Sequence, residues 1–242
     1  MRKLGLAAVA GILSCTALSA ATVSMTLTGP GNNGVLGNEY VGPYQGTING
    51  VSTPLICDDF YDDSYLGEQW TATETSLSSI IANQSTSGLR FSGLTNYEEA
   101  AWLSLQLLNG APCPPGGSTG ANCAGDLQYA IWDLFDPSAS SGLTGTDATN
   151  VSYWLKTALS TIQASSASQL EAEFVNFDVF TPTSCQANCG AGLPQEFLAD
   201  PPGSPVGMPE PSELALLGVD FLGVGALAGF FYRRRARSQS HS

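Results

Sequence analysis

The chain has 242 residues with 8 Lys and Arg against 21 Asp and Glu, which excludes a nucleic-acid binder held by phosphate contacts. Charged residues make up 12% and apolar ones 43%, so the chain is neither a coiled coil nor a highly charged disordered segment. The only histidine, His241, is the penultimate residue, which leaves none for catalysis or metal ligation in the body of the chain.

In chain order, the first element expected is a secretory signal over residues 1–21. Arg2 and Lys3 supply its positive end, Leu4 to Leu13 its apolar stretch, and Leu18-Ser19-Ala20-Ala21 the small-residue cleavage region. A lipoprotein reading of Cys15 is disfavoured by the bulky Leu13 two positions before it.

Short strand-prone runs follow at Val23 to Leu27, Tyr40-Val41, Tyr44 to Ile48, Leu55-Ile56 and Gln69 to Thr73, separated by Gly- and Asn-rich turn signals such as Asn49-Gly50. The period then changes. Tyr97, Ala100, Ala101, Leu105 and Leu108 recur at helical spacing, with Thr95 or Asn96 as cap and Glu98 and Glu99 in the first turn. A second helix is expected from about Asp126 to Phe135 and a third from about Asn150 to Ile162. Phe174, Phe177, Val179 and Phe180 suggest a closing strand, and Pro194 to Met208 reads as a Pro/Gly linker. The expected class is α+β: N-terminal antiparallel strands, a small helical part and a closing strand.

At the C-terminus, Leu214 to Tyr232 is an apolar run long enough for one membrane helix, followed by Arg233, Arg234, Arg235 and Arg237. Basic residues stay on the cytoplasmic side, which puts the bulk of the chain outside that membrane. The segment Thr22 to Met208 carries 2 basic and 18 acidic residues, a formal charge of −16, and is repelled by anionic surfaces.

Immediately before the apolar run stands Pro209-Glu210-Pro211. The order Pro-Glu-Pro, apolar helix, Arg cluster resembles the PEP-CTERM sorting signal of bacterial envelope proteins. The resemblance implies processing near Pro209-Glu210-Pro211 by an exosortase-type membrane peptidase. Delivery would then be to a cell envelope or exopolysaccharide-rich surface, with only transient anchoring in the inner membrane. Asp220 within the run is costly in lipid and better tolerated in a transient helix than in a permanent one. The chain so divides into a signal peptide (1–21), an extracellular domain (22–193), a linker (194–208), the sorting signal (209–237) and a short tail (238–242).

Export places the remaining cysteines in an oxidising compartment. Cys113 and Cys123 bracket a Pro/Gly-rich loop, and Cys185 and Cys189 enclose three residues; both are candidate disulfides. Pairing by proximity leaves Cys57 alone. An inert buried thiol, an intermolecular bridge and a different connectivity all remain open readings. Cys57 ends an apolar run, and Gln128 shares a helix face with Ile131, Trp132 and Phe135, where an unpartnered amide is expensive to bury.

Ile56-Cys57 on a strand and Gln128-Tyr129-Ala130-Ile131-Trp132 on a later helix resemble the bacterial surface thioester domains. The resemblance implies an internal thioester between Cys57 and Gln128, shielded from water by Trp132 and Phe60. It also implies covalent attachment to an amine on a target, such as a lysine, in a single event without turnover.

Asp58-Asp59-Phe60-Tyr61-Asp62-Asp63 lacks the spacing of a calcium loop and reads as a solvated acidic strand-loop, with no metal expected. Tyr61, Tyr65 and Trp70 are either sugar-stacking or strand-packing residues. The leading expectation is an exported surface protein, not an enzyme and without a cofactor, with a Cys57–Gln128 thioester aimed at amine or polysaccharide partners. The alternative is a structural envelope protein with the same sorting signal and no reactive bond. An extracellular enzyme ranks third, for want of a nucleophile constellation.

Overall fold

The computed structural model describes residues 21–31, 34–114 and 121–200. The signal segment before Ala21, Pro209-Glu210-Pro211, the apolar run and the Arg cluster lie outside the described residues. Among the described residues no helix is long and apolar enough to cross a membrane.

The fold is α+β and its strands pair antiparallel, as expected. The strands are β1 (Ala21–Gly29), β2 (Val35–Leu36), β3 (Glu39–Tyr40), β4 (Tyr44–Ile48), β5 (Val51–Cys57), β6 (Gln69–Ser76), β7 (Asp178–Ala187) and β8 (Phe197–Ala199). Six of them close into a barrel in the order β1-β4-β5-β8-β7-β6, while β2 and β3 form a separate two-stranded hairpin. Closure removes the unpaired edges that an open sheet would present.

Alternation builds the barrel core. Val23, Met25 and Leu27 of β1 are buried while their neighbours Ser24 and Thr26 are not, the period of two that a strand imposes. The Asn49-Gly50 turn, with both residues at positive φ, joins β4 to β5 and pairs Ile48 with Val51. Met25, Leu55, Trp70, Phe180 and Phe197 are completely buried, each contributing about 1.5–3 kcal/mol by removal from water. Trp70 is thus a packing residue, its ring 5.7 Å from that of Phe197, whereas Tyr61 and Tyr65 are exposed. Pro182 lies inside β7 where the β6–β7 register shifts, a bulge that tolerates its missing N–H.

The helices are α1 (Leu77–Asn83), α2 (Leu94–Leu108), α3 (Ala121–Phe135), α4 (Gly145–Ala164) and α5 (Ala167–Glu173), with a short 3-10 turn at Ala139–Gly142. Helices α2, α3 and α4 pack on one another, and α3 also meets β5. The expected cap at Thr95 or Asn96 is corrected: α2 starts two or three residues earlier, with Gly93 as its N-cap. Glu98 and Glu99 are buried rather than set in the first turn, and Asn96 Nδ2 donates instead to the Leu134 carbonyl of α3 at 2.6 Å. Helices α1 and α5 were not legible in the sequence, and Phe174 caps α5 rather than opening the closing strand.

The linker expectation needs a second correction. Phe197, Leu198 and Ala199 are fully buried and form β8, which pairs with both β5 and β7 and so completes the barrel. The domain therefore runs on to Asp200 at least, and residues 201–208 lie outside the described part.

Candidate functional site

The site forms where β5 ends against β8 and α3. Ile56 pairs with Leu198 and Cys57 with Phe197, so this end of β5 has the barrel on one side and helix α3 on the other. Leu55, Ile56 and Cys57 are all buried, without the alternation seen in β1. Cys57 is the one cysteine without a disulfide among the described residues; Cys113 pairs with Cys123 and Cys185 with Cys189.

The structure brings Cys57 and Gln128 into direct contact. Gln128 Nε2 donates to the Cys57 carbonyl oxygen at 2.6 Å, and both residues are wholly buried. The Cys57 thiol donates to the carbonyl oxygen of Asp59 at 3.1 Å. Gln128 Oε1 is buried with no hydrogen-bond partner. Behind it lies Gly42: a Cβ there would stand 2.6 Å from that oxygen, so only glycine leaves the amide its place.

Three aromatic rings of the same region pack on one another. Phe60 lies 5.0 Å from Trp132 and 6.3 Å from Tyr129, and Tyr129 meets Trp132 edge-on at 5.0 Å. Trp132 and Tyr129 are buried and Phe60 half-buried. Tyr129 is itself fixed by donating to the Leu36 carbonyl at 3.1 Å, which ties the β2–β3 hairpin to α3. The Cys57 thiol is pushed well above its ordinary range, first by burial and then by the carboxylates of Asp58 and Asp59. It is therefore a protonated thiol and not the thiolate of a redox or protease cysteine.

The acidic run after Cys57 is not a solvated loop throughout, which corrects the expectation for its first half. Asp58 and Asp59 are completely buried. Asp59 Oδ1 accepts from the backbone N–H groups of Tyr61 and Asp62, and its other oxygen pairs with Arg90, which also reaches Asp62 at 2.8 Å. Gln195 Nε2 donates to the Asp59 carbonyl at 2.7 Å. Asp58 meets the Glu196 carboxyl, and burial, followed by Glu196 and Asp59, raises its pKa well above the carboxylate range. No group of three or more His, Cys, Asp or Glu side chains among the described residues is placed to hold a metal ion.

Sequence reasoning missed the support beneath this loop. Glu196, fully buried beside β8, accepts from the Tyr97 hydroxyl at 2.6 Å, from the Arg90 backbone N–H at 2.9 Å and from the Thr181 hydroxyl. Only Arg90 carried a signal, as one of two basic residues in a strongly acidic segment.

No protein-family model, curated protein or solved structure matches the chain.

Proposed function

We propose that this chain is an exported cell-surface or extracellular-matrix protein, sorted by an exosortase-type system, whose barrel domain carries a Cys57–Gln128 thioester for covalent adhesion to amine-bearing partners. The contact between Gln128 Nε2 and the Cys57 carbonyl, buried in the region of Trp132, Tyr129 and Phe60, is the observation that supports the reading.

In forming the bond, Cys57 Sγ adds to Gln128 Cδ, the Cδ–Nε2 bond breaks, and the thiol proton leaves with the amide nitrogen as ammonia. Burial favours the step that expels a small neutral molecule and afterwards protects the thioester from hydrolysis. A primary amine then attacks Cδ, the C–S bond breaks, and Cys57 returns to the thiol while the amine stays bonded through an amide. The thioester is consumed once, so the protein has no turnover.

A structural envelope protein with the same sorting signal and no reactive bond is the second reading. It is favoured by the hydrogen bonds that the thiol makes to Asp59 and the amide nitrogen to Cys57, partners that an unbonded buried pair would need. Incubating the exported protein with methylamine and mapping the adduct separates the two. Addition at Gln128 with a new free thiol at Cys57 supports the thioester, and an unmodified Gln128 leaves the structural protein.

A further inference from the structure

Beside the buried pair lies a cleft of about 440 Å³ with an unusual lining. Its walls are aromatic: Tyr40, Tyr44, Phe60, Tyr65 and Trp132 all face it. Its carboxylates are Glu39, Asp62 and Asp63, and no basic side chain lines it. Asp62 is answered by Arg90 from outside the cleft, while Glu39 and Asp63 form no ion pair with any described residue. Tyr40 and Tyr65 are about half exposed at the rim, whereas Trp132 is 2% exposed, so the cleft runs from solvent down to the aromatic rings near Cys57 and Gln128.

We propose that this cleft is a binding site for an organic cation of the alkylammonium class. Ring faces attract a desolvated cation, and the rim carboxylates supply the opposite charge. An anionic ligand would meet uncompensated negative charge. A neutral sugar would leave the charge of the rim carboxylates unanswered, and two donors of the lining are already engaged. The Tyr44 hydroxyl donates to the Tyr40 carbonyl at 2.5 Å and Gln195 Nε2 donates to Asp59. The site does not require a bond between Cys57 and Gln128, although a primary ammonium held there would have its nitrogen beside the aromatic rings near that pair.

The test uses the full chain carrying Cys57→Ala, in which no thioester can form, titrated with n-butylammonium, n-butanol, butyrate and glucose. Butylammonium is expected to bind, butanol, butyrate and glucose not to, and the affinity to fall as salt is raised. Adding Glu39→Gln and Asp63→Asn should weaken butylammonium about tenfold, and Tyr40→Ala should weaken it by a similar factor, with unchanged melting temperatures. The proposal is overturned if butylammonium binds no better than butanol or glucose, or if the carboxylate and Tyr40 variants bind it as tightly as their parent. Either result leaves the question of the thioester untouched.

Discussion

Gln128 Nε2 lies 2.6 Å from the carbonyl oxygen of Cys57, across a sequence separation of 71 residues and with both side chains out of reach of water. The hydrogen bond locks helix α3 to the end of strand β5. Gln128→Ala would leave the Cys57 carbonyl buried without its donor, at a cost of about 1–3 kcal/mol. Chemical denaturation of the variant should show that loss, and a variant as stable as its parent would mean that water replaces the amide.

Gly42 is the second lock on the same amide. In Gly42→Ala the new methyl would stand 2.6 Å from Gln128 Oε1 and 3.2 Å from the Tyr44 ring. The amide must shift, and the substitution is expected to destabilise by about 1–3 kcal/mol and to lower methylamine incorporation at Gln128. Full incorporation in a folded Gly42→Ala protein would show that the amide has more room than the backbone suggests.

Arg90 neutralises an aspartate that has no access to solvent. Its guanidinium pairs with Asp59, which is wholly buried, and with the half-buried Asp62. Arg90→Ala leaves the Asp59 charge without its cation, and the expected loss is about 3–5 kcal/mol. The double variant Arg90→Ala/Asp59→Asn should recover part of it. Equal stability of the single and double variants would place the cost in lost packing and not in charge.

Acidification should stabilise the domain between about pH 8 and 5. Burial raises Glu99 to about 7, Asp178 to about 7 and Asp126 to about 6, with like charges adding at Glu99 and Asp178. Each folded-state pKa lies above the unfolded value, so the folded form holds more protons. The stabilising contribution is complete below the unfolded pKa and is lost as pH rises through these values. Melting temperature should therefore climb from pH 8 to pH 5; a fall over that interval would contradict the burial assigned to these groups.

Strand β4 was legible because Asn49-Gly50 marks its turn and Tyr44 to Ile48 is short and strand-prone. Strand β8 was not, since three residues between Pro194 and Pro201 carry no period, and pairing on both sides makes them a strand. At the site, Cys57 and Gln128 stood out because an odd thiol and an amide on an apolar stripe both lack a cheap explanation. Asp58 and Asp59 misled, because four carboxylates in six residues look solvated. Arg90, Gln195 and two backbone amides meet the second of them, and they come from positions that no local pattern joins to it. Glu196 gave no signal, as its partners Tyr97, Thr181 and Arg90 converge only in the closed barrel.

Intact mass spectrometry of the exported protein beside its Cys57→Ala variant tests the thioester most directly. The account requires the wild type to be lighter by one ammonia than its sequence with two disulfides, the variant to show no such deficit, and methylamine to add to the wild type alone. A wild-type mass equal to the sequence with two disulfides and a free thiol, unchanged by methylamine, would contradict it.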